Sequence, residues 1–387
     1  MIYSSQCAAS AADNLIDKLV EKGILSDSEA LQLLKDAQKK EAQEKETADG
    51  VKISKYIDAL KIKGDLRLRW EYRDRDRPLE NDDSRDRMRT RFRLGGVWVN
   101  NNENWKVAAG LATGGLGSTS TNDTWSENNF FETGDIRLDY AYARHKLNDF
   151  TFTAGQQKNP FKTSWLLWDG DVRPAGLTAN YDIDSFFITA GAYDVIQFGD
   201  DFGILYASQV GSKLSLGDIK FLLSLAYYGY DSVFENLEQP NPNYEFKIVG
   251  LYVSAKIPID KLKLNIYGQI FNNLGADGNV GQGVLGGNLD PENEDTGWVV
   301  GLNAKIEKWK CGYAYAQVGA DSCVGDLKDA DFGSGINDTD IKGHKVNLGY
   351  MITDHCSVDM AAFFYEALEL DNQNKANLYQ MDINYKF

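Results

Sequence analysis

Residues 60–72 read Leu-Lys-Ile-Lys-Gly-Asp-Leu-Arg-Leu-Arg-Trp-Glu-Tyr, and every even position is apolar or glycine while every odd position is charged. Successive side chains of a β-strand point to opposite faces, so this stretch has one greasy face and one ionic face. Residues 87–99 repeat the pattern, with Met88, Phe92, Leu94 and Trp98 alternating against Arg87, Arg89, Arg91 and Arg93. Both stretches need hydrocarbon on one side and water on the other.

Alternation and turn residues continue along the chain and predict about 16 strands, a number at which a closed barrel is too wide for its side chains to fill. They run from 60–72 and 87–99 to 356–366 and 376–387, and most match the roughly 9 to 11 residues of a tilted transmembrane strand. Long connections such as 114–134, 273–296 and 320–340 follow odd strands, and brief ones such as Leu147-Asn148-Asp149 and Glu307-Lys308 follow even strands. Sorting long loops to one rim and short turns to the other is the habit of an outer-membrane barrel, and a soluble sandwich has no reason for it. The fold class expected is all-β: a transmembrane antiparallel β-barrel over 51–387, closed so that lipid meets no unpaired strand edge.

Composition agrees. The chain has 387 residues, a mean hydropathy of -0.42 and a formal charge of -16, a balance that disfavours nucleic acid as a partner. Its longest nearly apolar stretch, 221–229, is far shorter than a spanning helix needs. Residues 1–12 read either as the remnant of a signal region, for the small residues Cys7 to Ala12, or as a disordered tail. Over 13–50, Leu15, Ile16, Leu19 and Val20, then Leu31, Leu33, Leu34 and Ala37 after a capping box at Ser26 to Glu29, predict a short helical prefix and linker. Such a hairpin cannot bury its stripe alone, so it is expected to dock or self-associate.

The last strand sets Tyr379, Met381, Ile383, Tyr385 and Phe387 against Gln380, Asp382, Asn384 and Lys386. That ending resembles the carboxyl-terminal assembly signal of bacterial outer-membrane proteins, with Tyr385 and Phe387 as the residues an assembly machinery reads. The run Gly155-Gln156-Gln157-Lys158-Asn159-Pro160-Phe161, then Trp168-Asp169-Gly170-Asp171 and Pro174-Ala175-Gly176-Leu177, resembles the middle of the "putative porin" family of Gram-negative bacteria. Members often carry Arg after that glycine; here it is Gln156, so no role for an arginine is carried over. The resemblance implies an outer-membrane channel for small hydrophilic solutes, in contact with outer-membrane lipids and lipopolysaccharide, a homotrimer, with the helical prefix in the periplasm. It also makes 159–175 the constriction loop. Phe161, Trp165 and Trp168 would anchor it against the inner wall, and Lys158, Asp169, Asp171 and Arg173 supply its charges; the other reading is an external loop with a hydrophobic cluster.

Ten of the thirteen arginines lie between Arg67 and Arg93. Arg67, Arg69, Arg87, Arg89, Arg91 and Arg93, with Arg137, fall on the water side of their strands, because a lipid-facing arginine near the midplane costs about 2–4 kcal/mol. They form either a basic wall opposed by Asp169 and Asp171 across a constriction, or a structural ladder neutralised by Asp65, Glu71 and loop carboxylates. Carboxylates at Asp82, Asp83 and Asp86, at Asp290, Glu292, Glu294 and Asp295, and at Asp326, Asp329, Asp331, Asp338 and Asp340 predict an acidic external rim. His145, His344 and His355 stand in no catalytic motif, no EF-hand spacing occurs, and Cys7, Cys311, Cys323 and Cys356 lack metal-ligand spacing. No catalytic residue, metal site or cofactor is therefore expected, and the thiols are read as free. Two alternatives stay open: a barrel-anchored adhesion or structural protein, and a substrate-specific anion channel.

Overall fold

The computed structural model describes residues 22, 26, 59–78, 83–101, 103–115, 119–198, 201–231, 245–276, 290–369 and 374–387. The expectations for 1–12 and for the helical prefix over 13–50 lie outside the described residues, Lys22 and Ser26 apart. Two compact units are present, Met1–Lys61 with Trp98–Asn101, and Ile62–Val97 with Asn102–Phe387; the second holds the barrel.

In chain order the strands are β1 (Ala59–Asp76), β2 (Asp83–Asn100), β3 (Trp105–Thr113), β4 (Asp123–Thr124), β5 (Ile136–Leu147), β6 (Phe150–Gln156), β7 (Ala175–Ile183), β8 (Phe186–Phe198) and β9 (Asp201–Leu216). There follow β10 (Ile219–Asp231), β11 (Lys247–Ile259), β12 (Leu262–Asn273), β13 (Thr296–Ile306), β14 (Trp309–Val318), β15 (Ile341–Met351), β16 (Cys356–Ala367) and β17 (Lys375–Lys386). β4 is a two-residue strand of the second loop, laid on β2 with Arg89 opposite Thr124. The other strands pair antiparallel with their chain neighbours, and β17 pairs with β1 from Asp65–Lys386 to Asp76–Lys375, closing the barrel. At the seam, the backbone of Gly64 exchanges hydrogen bonds with that of Phe387 at 2.8 and 3.1 Å. A side chain at Gly64 would strike the Phe387 ring, so the glycine makes room for the terminal aromatic.

The alternation is realised inside out. Leu66, Leu68 and Trp70 are 36%, 37% and 39% exposed, while Arg67, Arg69 and Glu71 are only 9%, 6% and 1% exposed. Apolar side chains therefore face outward and the ionic ones line the lumen, the reverse of a soluble sheet. Aromatic pairs mark the outer surface, among them Tyr72–Tyr379 and Trp298–Tyr315 toward one rim and Trp105–His145, Phe150–Tyr181 and Trp309–Tyr350 toward the other.

The short turns follow hairpin rules. The two-residue turns at 148–149, 184–185, 217–218, 260–261 and 307–308 each put their first residue at positive φ, from 46° at Asp184 to 58° at Gly217. The long-loop rim departs from expectation in two places. Between β8 and β9 only residues 199–200 remain, because both strands run further than their alternation indicated and absorb an irregularity near Asp194. The seventh connection, 319–340, is not an external acidic loop: Asp321, Ser322, Cys323, Lys328 and Phe332 are all buried. It folds inward. Among the described cysteines, Cys311, Cys323 and Cys356 are free.

Candidate functional site

The third loop, 157–174, joins β6 to β7 and folds into the barrel. Its neck is closed by the Gln157 amide donating to the Pro174 carbonyl at 3.0 Å. From there the chain crosses to the walls of β9 and β12. The Lys162 amide donates to Gln209 Oε1 and Gln209 Nε2 donates back to the Lys162 carbonyl, each at 2.8 Å. Gln269 Oε1 accepts from the Ser164 amide at 2.7 Å, and Trp165 Nε1 donates to Tyr267 at 3.0 Å. Phe161 packs edge-on against Tyr193 and Tyr228, and Leu166, Leu167, Trp168 and Val172 complete an apolar core within the lumen. Arg173 anchors the returning limb through Asp139 on β5 at 3.0 Å.

The seventh loop lies against the third. The Asp169 amide donates to the Leu327 carbonyl at 2.6 Å, the Asp329 amide to the Trp165 carbonyl at 2.9 Å, and Trp165 meets Phe332 edge-on at 5.2 Å. Lys345 of β15 clamps both loops: its Nζ pairs with Asp329 at 2.7 Å and stands 4.5 Å from the Trp165 ring and 4.9 Å from that of Phe363. On its other side the seventh loop caps the arginine wall, where Asp331 reaches Arg69, Ser334 accepts from Arg73 at 3.3 Å and the Gly335 carbonyl accepts from Arg75 at 3.0 Å.

The arginine wall is a paired ladder. Asp382 accepts from Arg69 at 2.7 and 2.9 Å and from Arg67 at 3.3 Å. Glu71 accepts from Arg85 at 3.2 Å and Arg87 at 2.6 Å and lies 3.6 Å from Arg89. Asp65 takes Arg91 and Arg93, both at 2.8 Å. These contacts favour the structural alternative for the ladder. Of the two loop carboxylates expected opposite it, Asp171 alone approaches, 3.9 Å from Arg93 while it accepts from Thr121 at 3.1 Å. Asp169 faces other carboxylates instead: burial, then the neighbouring Asp329 and Asp171, push its pKa up to about 7. Arg137 binds the carbonyls of Gly115, Thr119 and Ser120, holding the second loop. Asp83 and Asp86 belong to β2, where Asp83 pairs with Arg75 and Asp86 accepts from Trp70 at 2.8 Å; Asp82 lies outside the described residues.

Two cavities open within the lumen, the first beside the third loop and the second beside Asp331 of the seventh. One of ≈ 820 Å³ is bordered by Asp65, Arg93, Tyr140, Arg144, Lys158 and Lys386. The other, of ≈ 570 Å³, lies by Lys263, Lys305, Lys310, Asn303, Asn347 and Asp382. Reading of the sequence missed Gln209, Gln269, Tyr267 and Lys345. Their strand alternation placed them on the water face, yet nothing local marks an amide or a lysine there as the partner of a loop many residues away.

A closed antiparallel barrel with an apolar exterior, an ionic lumen and a loop folded across it defines a β-barrel membrane channel. Residues 52–250 match the family model described as "Putative porin", and the chain belongs to that family. The fold is similar to that of OprB from Pseudomonas putida in its high-pH structure, with a TM-score of 0.57 and 15% identity over 85% of this chain and 94% of that one. It is similar to the outer membrane channel DcaP of Acinetobacter baumannii, with a TM-score of 0.54 and 14% identity over 87% and 100% of the two chains. It is also similar to Salmonella typhi OmpF in a complex with daunomycin, with a TM-score of 0.54 and 12% identity over 87% and 99%. At these identities the likeness is one of fold. No curated protein sequence matches the chain. The chain is an outer-membrane porin, a channel for small solutes set among outer-membrane lipids, and its family and fold are those of a non-enzymatic channel.

Proposed function

We propose that this porin conducts ions and small hydrophilic solutes passively through a water-filled lumen that its third and seventh loops narrow together, with no catalytic step and no cofactor. The observation that carries the reading is a pair of lumen cavities, one of ≈ 820 Å³ beside the third loop and one of ≈ 570 Å³ beside Asp331 of the seventh, bordered mainly by charged and amide side chains. Polar solutes keep hydrogen-bonding partners along such walls, whereas apolar ones lose solvation without recompense. Lys158, Asp171, Arg173 and the arginine wall then shape the field at the narrowing. Phe161, Trp165 and Trp168 act as anchors that hold the loop rather than as contacts for the solute.

The same reading includes a homotrimer, lipopolysaccharide at the outer rim, and recognition of Tyr385 and Phe387 by the barrel assembly machinery. Tyr385 and Phe387 are 50% and 51% exposed on the outer face, which suits a signal read from outside the barrel. A helical prefix over 13–50 belongs on the periplasmic side, the side of the short turns. The purified protein in a planar bilayer is expected to give stable open-channel steps. A heat-modifiable barrel that never conducts would favour instead the anchor or adhesion reading, which the apolar packing of Phe161, Trp168 and Phe332 across the lumen supports.

A further inference from the structure

We infer that the anion route through this porin runs along a lysine and asparagine strip on β10–β15, and that the strip binds small solutes bearing both an anionic group and hydroxyls. This rests on the channel reading above and adds a site and a solute class to it.

Lys263, Lys305 and Lys310 stand directly opposite one another on three successive strands, Lys263 across from Lys305 and Lys305 across from Lys310. Lys220 is likewise opposite Lys256 on β10 and β11. Like charges set directly opposite in a sheet destabilise the pairing, so the fold itself gains nothing from this choice over serine or glutamine. None of the five lysines has an ion-pair partner among the described residues, in contrast to Lys345 and to Lys213, which pairs with Asp182. All five occupy the water-facing register of their strands, close to the short-turn rim.

Two residues further from the turns the same wall changes chemistry. Asn265 lies opposite Asn303, Asn303 opposite Gly312, and Gly312 opposite Asn347. Gly312 keeps the row open, since a side chain there would come within 2.7 Å of Asn303 Oδ1. Asn265 Oδ1 is buried with no hydrogen-bond partner, an acceptor that a hydroxyl meets once the amide turns toward the cavity. Lys263, Lys305 and Lys310 and the three asparagines border one cavity of ≈ 570 Å³, within the range that holds a small ligand; Lys220 and Lys256 lie outside its lining. Of the carboxylates bordering that cavity, two are paired with arginine, and the third, Asp359, stands one glycine beyond Lys310 in the same row and accepts from neutral donors. Asp382 is held by Arg67 and Arg69, Asp331 by Arg69, and Asp359 by Ser357 at 2.6 Å and Asn384 at 2.9 Å. A phosphate or carboxylate at the lysine row would therefore meet three lysines against one carboxylate, Asp359, that has no ion-pair partner among the described residues, and its hydroxyls would reach the asparagine row.

The test uses the full-length porin in planar bilayers, with glucose 6-phosphate, gluconate, inorganic phosphate and glucose as probes. The wild-type channel is expected to be anion-selective in a salt gradient, blocked by the two anions and not by glucose at the same concentration. A Lys263→Gln/Lys305→Gln/Lys310→Gln variant is expected to need about tenfold more of either anion for the same block, a factor that is about 1.4 kcal/mol of affinity. Asn303→Ala is expected to weaken block by both sugar anions and leave block by inorganic phosphate unchanged, and Lys261→Gln, on an exposed turn, to leave all of it unchanged. Glucose 6-phosphate blocking far better than gluconate would assign the strip to phosphorylated solutes, and the reverse order to carboxylated ones. A heat-modifiable triple variant that is blocked like the wild type overturns the proposal while open-channel steps uphold the channel reading. Should neither protein conduct, quenching of tryptophan fluorescence by glucose 6-phosphate in detergent decides the site separately: loss of quenching in the triple variant supports it, and equal quenching overturns it.

Discussion

Two walls of one lumen carry the same sign of charge and put it to different uses. On β1 and β2 the arginines are packed against Asp65, Glu71 and Asp382 and partly capped by the seventh loop. On β10–β14 the lysines stand in register with no ion-pair partner among the described residues. The first wall is a scaffold in which each carboxylate is shared by two or three arginines, so that it holds itself and a loop together while staying net positive; the second leaves its charges to solvent and solute. Counting cations along a pore wall therefore says less about selectivity than asking which of them already have partners. Arginine suits the first role because its planar fork binds a carboxylate at two points, and lysine suits the second as a hydrated point charge.

The largest effect is expected from breaking the scaffold. Glu71→Gln leaves Arg85, Arg87 and Arg89 without their shared carboxylate at a site that is 1% exposed, and should lower barrel stability by about 3 kcal/mol in urea titrations followed by heat-modifiability. A variant as stable as wild type would mean that lumen water compensates the ladder, and the contrast between the walls would fall. Lys345→Met should cost less, about 1–2 kcal/mol, because the methionine keeps contact with Trp165 and Phe363 while the pair with Asp329 is lost. Its signature should be proteolytic cleavage within 319–340 and a larger single-channel conductance as the two loops part.

A pH titration addresses the junction between the loops. Asp169 has its pKa raised to about 7 by burial and by Asp329, with Asp171 and Asp331 nearby, so the packed arrangement holds a proton there that an unpacked loop would release. Its stabilising effect is therefore present in acid and is lost as pH rises through about 7. Conductance should increase between about pH 4 and about pH 7 in wild type and level off above, and Asp169→Asn should flatten the curve. The smallest effect on stability belongs to the open wall: Lys305→Gln should change it by less than about 0.5 kcal/mol while moving the reversal potential toward cations. Loss of several kcal/mol there would show that the lysine row is a scaffold after all.

The barrel was legible in the sequence because strand alternation is a local property that recurs every two residues. Leu66, Leu68 and Trp70 against Arg67, Arg69 and Glu71 declare their faces without any knowledge of neighbours. The third loop was legible for a related reason: Phe161, Trp165 and Trp168 are too apolar for open water, and the lumen wall offers Tyr193, Tyr228 and Tyr267 to receive them. The seventh loop was not. Its five aspartates suggested an external rim, yet Asp329 and Asp331 are drawn inward by Lys345 and Arg69, cations that no spacing within the loop reveals.

What the sequence by itself determined is the inside-out barrel, its antiparallel hairpins and the water-facing register of every arginine and lysine discussed above, since each depends on residues two apart or on a turn of two residues. What only the tertiary structure decided is which charges are paired and which are free. Arg69 meets its carboxylates across 262 and 313 residues of chain, at Asp331 and Asp382. Such pairings exist because barrel closure sets β17 beside β1 and leaves a lumen into which a long loop can fold, and neither distance has a local signature.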